Sequence, residues 1–184
     1  MKQRHPSKIP TSVICRLLSS AEILDYAKGD IITSRSAHQQ YIWFVRKGIV
    51  TVHYIDMEDN ENTLIFFAPG EMFLNSFHSK IYPNYSVEFK VESAAVLYRI
   101  SYEKCAELMA ASPEICYFLI DNFSEIMHRF MLLSLLLKIR SPDIKYSLFV
   151  RERSVLLRHL PLKDISRQIG ITPETLSRVR NRQK

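Results

Sequence analysis

The residues of this chain best suited to chemistry stand near its C-terminal end: Thr172, Pro173, Glu174, Thr175, Ser177, Arg178, Asn181 and Arg182. A side chain such as Arg178 can grip guanine O6 and N7 with two hydrogen bonds, and Glu174 can accept one from a cytosine amino group. Thr172, Thr175 and Ser177 offer short donors for phosphate oxygens, while Arg180, Arg182 and Lys184 offer charge. The chemistry implied is recognition of double-stranded DNA, with Arg178 the strongest candidate for a base contact. A solvated surface is the alternative for each residue taken singly.

Such a set works only if a rigid element carries it into a groove. Residues 162–184 fit a helix-turn-helix. With Leu162 as position 1, apolar residues are required at positions 4, 8, 10, 15 and 18. They are Ile165, Ile169, Ile171, Leu176 and Val179. Position 5 must be small where the helices cross, and it is Ser166. Position 9 must relax the backbone at the turn, and it is Gly170. Thr172 then caps a second helix with Pro173 at N1 and Glu174 in the first turn. A generic helical hairpin would share the glycine but needs neither the cap nor the matched spacing.

Charge agrees. Residues 1–140 hold 15 Lys/Arg against 15 Asp/Glu, whereas residues 141–184 hold 10 against 4. The whole net charge of +6 therefore sits in the last quarter, as expected of a neutral module joined to one that binds nucleic acid.

Other chemistries lack their residues. Cys15, Cys105 and Cys116 are widely spaced, so neither a disulfide framework nor a metal knuckle nor an iron–sulfur site can be drawn. His5, His38, His53, His78, His128 and His159 are scattered and read as surface or structural rather than haem ligands. An enzyme on a jelly roll would need His-x-His with further ligands, which is absent, as are G-x-S-x-G and Walker motifs. We expect no catalytic residues, no metal and no cofactor. No apolar run reaches the roughly 20 residues of a membrane span, and residues 1–10 do not read as a secretory signal. The expectation is a soluble, cytoplasmic protein without a membrane partner.

Upstream, residues 22–101 read as short strands broken by turns. Lys28-Gly29-Asp30 and Lys47-Gly48 are turn signals, and residues 51–55 and 63–67 form a hairpin. Residues 41–45 are continuously apolar and suit a strand buried on both faces, whereas Thr51-Val52-His53-Tyr54 alternates like a half-buried one. An antiparallel jelly roll follows. Helices take over after Ser101. Ser112-Pro113-Glu114 starts one that runs to about Ile139, with Ile115, Leu119, Asn122, Phe123, Ile126, Phe130, Leu133 and Leu137 along a stripe. The roll can cover part of that stripe and a two-fold partner helix the rest, with Asn122 fixing register. Ser141-Pro142-Asp143 interrupts the pattern and opens the terminal helical region. The fold class is α+β, with a sensor domain at 1–110, a dimerisation helix at 111–140 and a DNA-binding domain at 141–184.

This order of elements resembles the Crp–Fnr family, whose anchors here are Tyr26-Ala27-Lys28-Gly29-Asp30, Lys47-Gly48, Ala68-Pro69-Gly70-Glu71, Ile100-Ser101-Tyr102 and residues 171–178. The resemblance covers residues 23–184. It implies a cyclic-nucleotide-binding-like double-stranded β-helix and a bacterial homodimeric regulator on a palindromic site. RNA polymerase is a further partner that the resemblance allows. Within it, Glu174 and Arg178 stand where base-reading residues occur, and Pro173 replaces a usual Arg. The family's effector pocket is degenerate here. Where a Gly-Glu pair and an Arg-Ser or Arg-Thr pair hold a cyclic nucleotide, this chain has Leu74-Asn75 and Tyr85-Ser86 beside Phe73. A buried phosphodiester without a cationic partner is costly, so cyclic AMP is not the expected effector; another small molecule, or none, is. The family's β-hairpin wing is also expected to be incomplete. The alternative is a cyclic-nucleotide-responsive regulator or ligand-binding module.

Overall fold

The structure, a computed structural model, describes residues 11–32, 40–55, 58, 61–74 and 86–182. Helix α1 (Thr11–Ser19) precedes the strands β1 (Glu22–Tyr26), β2 (Tyr41–Ile55), β3 (Glu61–Phe67), β4 (Met72–Leu74) and β5 (Ser86–Ser101). Helices α2 (Tyr102–Ala111), α3 (Pro113–Lys138), α4 (Pro142–Arg153), α5 (Leu162–Ile169) and α6 (Pro173–Arg182) follow, with a 3-10 turn over Ser154–Arg158. Helix α1 carries no periodic signal in the sequence, because only Val13 and Leu17 of its nine residues are buried.

All pairings among the described strands are antiparallel, in the order β1-β5-β2-β3 with β4 also on β2. The fold class is thus an antiparallel roll followed by a long helix and a helical C-terminal region. The hairpin of β2 and β3 is present, Val50 facing Phe67 and Ile55 facing Glu61. Lys47-Gly48, however, is not a turn between two strands. It is a bulged stretch within the single strand β2, whose pairing with β5 slips between Val45 and Val50. Gly48 has φ +87, and a Cβ there would lie 2.6 Å from that of Ala95. Ser93 Oγ accepts from the Ile49 N–H at 3.1 Å, satisfying a donor the bulge displaces.

The second half of β3 is apolar on both faces because it serves two cores. Ile65 and Phe67 point into the roll, while Phe66 and, just beyond the strand, Ala68 pack with Phe149, Leu156, Ile165 and Leu176 of the C-terminal helices. Helix α3 does the same along its length: Ile115, Leu119 and Ile126 belong to the roll's core, Leu132 and Leu136 to the helical one. The two halves of the molecule share a spine.

That arrangement corrects the expected seam. Ile115, Leu119 and Ile126 are buried, and Phe130 and Leu133 pack on the roll's core, so this stripe is taken up within the chain. Asn122 is half-buried and its Nδ2 donates to Phe118 O at 2.8 Å; of the eight, only Phe123 and Leu137 are exposed. The physical reason is that the roll has an apolar face and its own helix is tethered beside it. The stripe left outward is the expected one displaced by a single residue, about 100° around the helix. It comprises Cys116, Ile120, Phe123, Met127 and Met131, which line a shallow groove.

Thr51 and His53 also depart from the half-buried reading, at 0% and 7% exposure. Their partner is distant in sequence. Thr51 Oγ1 donates to Glu92 Oε1 at 2.8 Å, and His53 Nε2 lies 3.2 Å from the same oxygen. His53 is a structural histidine, and His128 and His159 are exposed; His5, His38 and His78 lie outside the described residues.

Candidate nucleic-acid interface

The helix-turn-helix is built by local constraints. Gly170 sits in the left-handed region at φ +66 and ψ +48, where a residue with a Cβ is strained, and ends α5. Ile171 N–H then returns to Ser166 O at 3.0 Å. Ser166 is fully buried at the crossing and turns its hydroxyl to Lys163 O at 2.8 Å. Thr172 caps α6, its Oγ1 accepting from Thr175 N–H at 3.2 Å, with Pro173 at the first helical position. Ile165, Ile169, Leu176 and Val179 are buried, and Ile171 packs against them half-buried.

With the apolar side of α6 turned inward, Thr172, Pro173, Glu174, Ser177, Arg178, Asn181 and Arg182 are exposed and Thr175 is half-buried. Glu174, Ser177, Arg178 and Asn181 share the side of α6 opposite the buried Leu176 and Val179, with Pro173, Thr175 and Arg182 on its flanks and Thr172 at its cap. Arg178 Nη2 lies 3.5 Å from Thr175 Oγ1, which leaves the rest of the guanidinium outward. Arg182 differs, because its Nη2 reaches Asp143 at the start of α4, 3.2 Å away. The backbone N–H of Glu174 and the Thr172 hydroxyl hold the Glu174 carboxyl below the ordinary carboxylate range, so it is an acceptor at neutral pH.

Two positioning features escaped the sequence reading. Lys145 of α4 is only 5% exposed, and its Nζ donates to Ile169 O and Gly170 O at 2.9 and 3.0 Å. A cation thus satisfies carbonyls at the C-terminal end of α5, where the helix dipole favours it. Its only sequence signal is a lysine on the helix face that also carries Tyr146 and Phe149. The second feature is Glu71, held between Arg129 of α3 and Arg153 of α4. Nothing local in the sequence connects three residues so far apart.

Within the roll, Phe73 is 1% exposed, stacked between Trp43 at 5.8 Å and Phe89 at 5.3 Å between ring centroids. Leu74 is half-buried at the end of β4. Asn75, Tyr85 and the side chain of Ser86 lie outside the described residues. Residues 72–86 contain no Asp, Glu or Arg, and Lys80 is their one charged residue, so the stretch lacks the carboxylate and guanidinium pair by which the resembled family holds cyclic AMP.

Residues 23–112 match the profile of the cyclic nucleotide-binding domain family. Among solved structures, CooA from Carboxydothermus hydrogenoformans superimposes with a TM-score of 0.70 at 15% identity, over 91% of this chain and 78% of that one. A cyclic nucleotide-binding domain containing protein from Listeria monocytogenes gives 0.71 at 16% identity, over 94% and 89%. The c-di-GMP responsive global regulator CLP of Xanthomonas campestris gives 0.63 at 17% identity, over 94% and 91%. The chain has the Crp–Fnr fold. No curated protein matches its sequence. At these identities the likeness is one of architecture, and in the Crp–Fnr fold of this chain the roll, the spine helix and the helix-turn-helix follow in that order. Among the described residues no helix is long and apolar enough to cross a membrane, and no group of His, Cys, Asp and Glu is arranged to hold a metal.

Proposed function

We propose that this chain is a DNA-binding transcription regulator that acts in the cytoplasm as a homodimer on a palindromic duplex. One observation carries the reading. Capped and braced on both sides, α6 turns a continuous polar face with Arg178 at its middle outward, in the region that holds all the excess positive charge. Residues 141–184 deliver that face, residues 111–140 pair the subunits, and residues 1–110 act as the sensor.

Pairing is supported by the outward stripe of α3. Ile120, Phe123, Met127 and Met131 are 48–67% exposed, a continuous apolar band that a second copy of the helix covers. Two recognition helices then enter successive major grooves about 34 Å apart. Cyclic AMP is not the expected effector, given the composition of residues 72–86. The Xanthomonas relative answers c-di-GMP, which supports a roll of this architecture serving ligands other than cyclic AMP. Selection of bound sequences from a random duplex pool tests the proposal. Enrichment of an inverted repeat is expected; a pool from which the protein retains nothing, with or without cellular small-molecule extract, overturns it.

A further inference from the structure

Glu71 occupies the turn between β3 and β4, and three elements converge on its carboxylate. Its Oε2 accepts from the Ala68 N–H at 2.8 Å, which closes the turn itself. Its Oε1 accepts from Nη1 of Arg153, the last residue of α4, whose Nη2 donates to Phe66 O at 2.8 Å and reaches Glu71 Oε2 at 3.3 Å. From the other side, Arg129 Nη2 of the spine helix lies 3.3 Å from Oε1. The side chains of Glu71, Arg129 and Arg153 are 12%, 14% and 8% exposed.

The setting makes this a cooperative unit. A charge left buried without its partner is strongly destabilising, whereas the intact set is near neutral against apolar packing. The three groups therefore stay together or become solvated together. Around them the interface is apolar, formed by Ile49, Phe66, Leu132, Leu136 and Phe149, which gives adhesion with little registry. Burial is the largest influence on the Arg129 guanidinium and pulls its pKa below the usual value, opposed by Glu71. Glu71 also immediately precedes β4, whose Phe73 stacks in the interior of the roll and whose Leu74 pairs with Ile42. Displacement of that strand from within the roll moves the carboxylate.

We propose that Arg129, Glu71 and Arg153 form a clasp that fixes the C-terminal helical region on the roll and opens as a unit, linking the interior of the roll to the placement of α5 and α6. That this placement governs DNA recognition rests on the function proposed above; the clasp itself does not. Hydrogen exchange of the full-length protein, without DNA, is therefore the test. Arg153→Gln removes the α4 arm of the clasp without touching the bond from the Ala68 N–H to Glu71 that closes the turn. It is expected to speed exchange in α4 and α5 by about tenfold or more while β2 and β5 change by less than about twofold. Glu71→Gln should reproduce the pattern, and Arg153→Lys should fall between. Uniform acceleration, no change at α4 and α5, or failure of both glutamine variants to fold overturns the clasp. A duplex pool that yields nothing for the wild type, beside the expected exchange pattern, overturns only the regulator reading.

Discussion

Lys145 and Gly170, separated by 25 residues, are joined by a hydrogen bond of 3.0 Å from the lysine Nζ to the glycine carbonyl. The same ammonium serves Ile169 O, so α4 braces the turn from which α6 starts. The turn has no slack elsewhere. A Cβ on Gly170 would lie 3.0 Å from Leu137 Cδ2 and 3.4 Å from Lys145 Nζ, at a φ that already disfavours it. Lys145→Met strands two carbonyls and is expected to cost about 1–3 kcal/mol. Gly170→Ala should cost about 1–2 kcal/mol from the backbone alone. In urea the midpoint should fall with the slope unchanged.

Arg178→Ala should weaken binding to the selected duplex by about 1–3 kcal/mol and leave random duplex almost unaffected. Equal losses on both would make Arg178 a phosphate contact. Glu174→Ala, on the same exposed face, should relax the preference at one base position.

The one-residue displacement of the α3 stripe separates two neighbouring substitutions. Met127, 49% exposed, lies on the outward band, and Met127→Glu should yield a folded monomer by sedimentation. Ile126, 8% exposed, lies in the roll's core; Ile126→Ala should cost about 2–5 kcal/mol of stability with the dimer retained. A folded Met127→Glu protein that is still dimeric would remove this surface from the account.

Two carboxylates pull the pH dependence in opposite directions. The His53 hydrogen bond lowers the Glu92 pKa, with burial opposing it and Thr51 adding to it. Its stabilisation is present above the ordinary carboxylate range and is lost as pH falls through the lowered value. Burial raises the Asp164 pKa, and Glu92 adds to this. Its neutral form is the favoured one, so the stability it confers is present at acid pH and is lost as pH rises through the raised value. At pH 7, then, Asp164→Asn should raise the melting temperature and Glu92→Gln should lower it; both differences should vanish in acid. A melting series at several pH values reads both.

The helix-turn-helix was legible because each of its positions answers a local demand: Gly170 the left-handed turn, Thr172 the cap, Pro173 the first helical turn, Ile165 to Val179 the spacing. The start and length of α3 were legible for the same reason. Which face of α3 turns outward was not, because Ile126 and Met127 belong to equally apolar stripes and only the roll decides between them. Thr51 and His53 looked half-solvated until Glu92, some 40 residues later in the sequence, arrived beside them. Gly48 signals a positive φ, which a turn and a bulge both need. Glu71 and Arg153 meet across 82 residues, and only the packed sheet brings them together.

The salt dependence of binding to the selected palindrome is the decisive measurement of duplex recognition by a pair of α6 helices. If two basic recognition units grip duplex phosphate, log affinity should fall linearly and steeply with log salt, at two protomers per duplex. An affinity indifferent to salt, or one protomer per site, would contradict it.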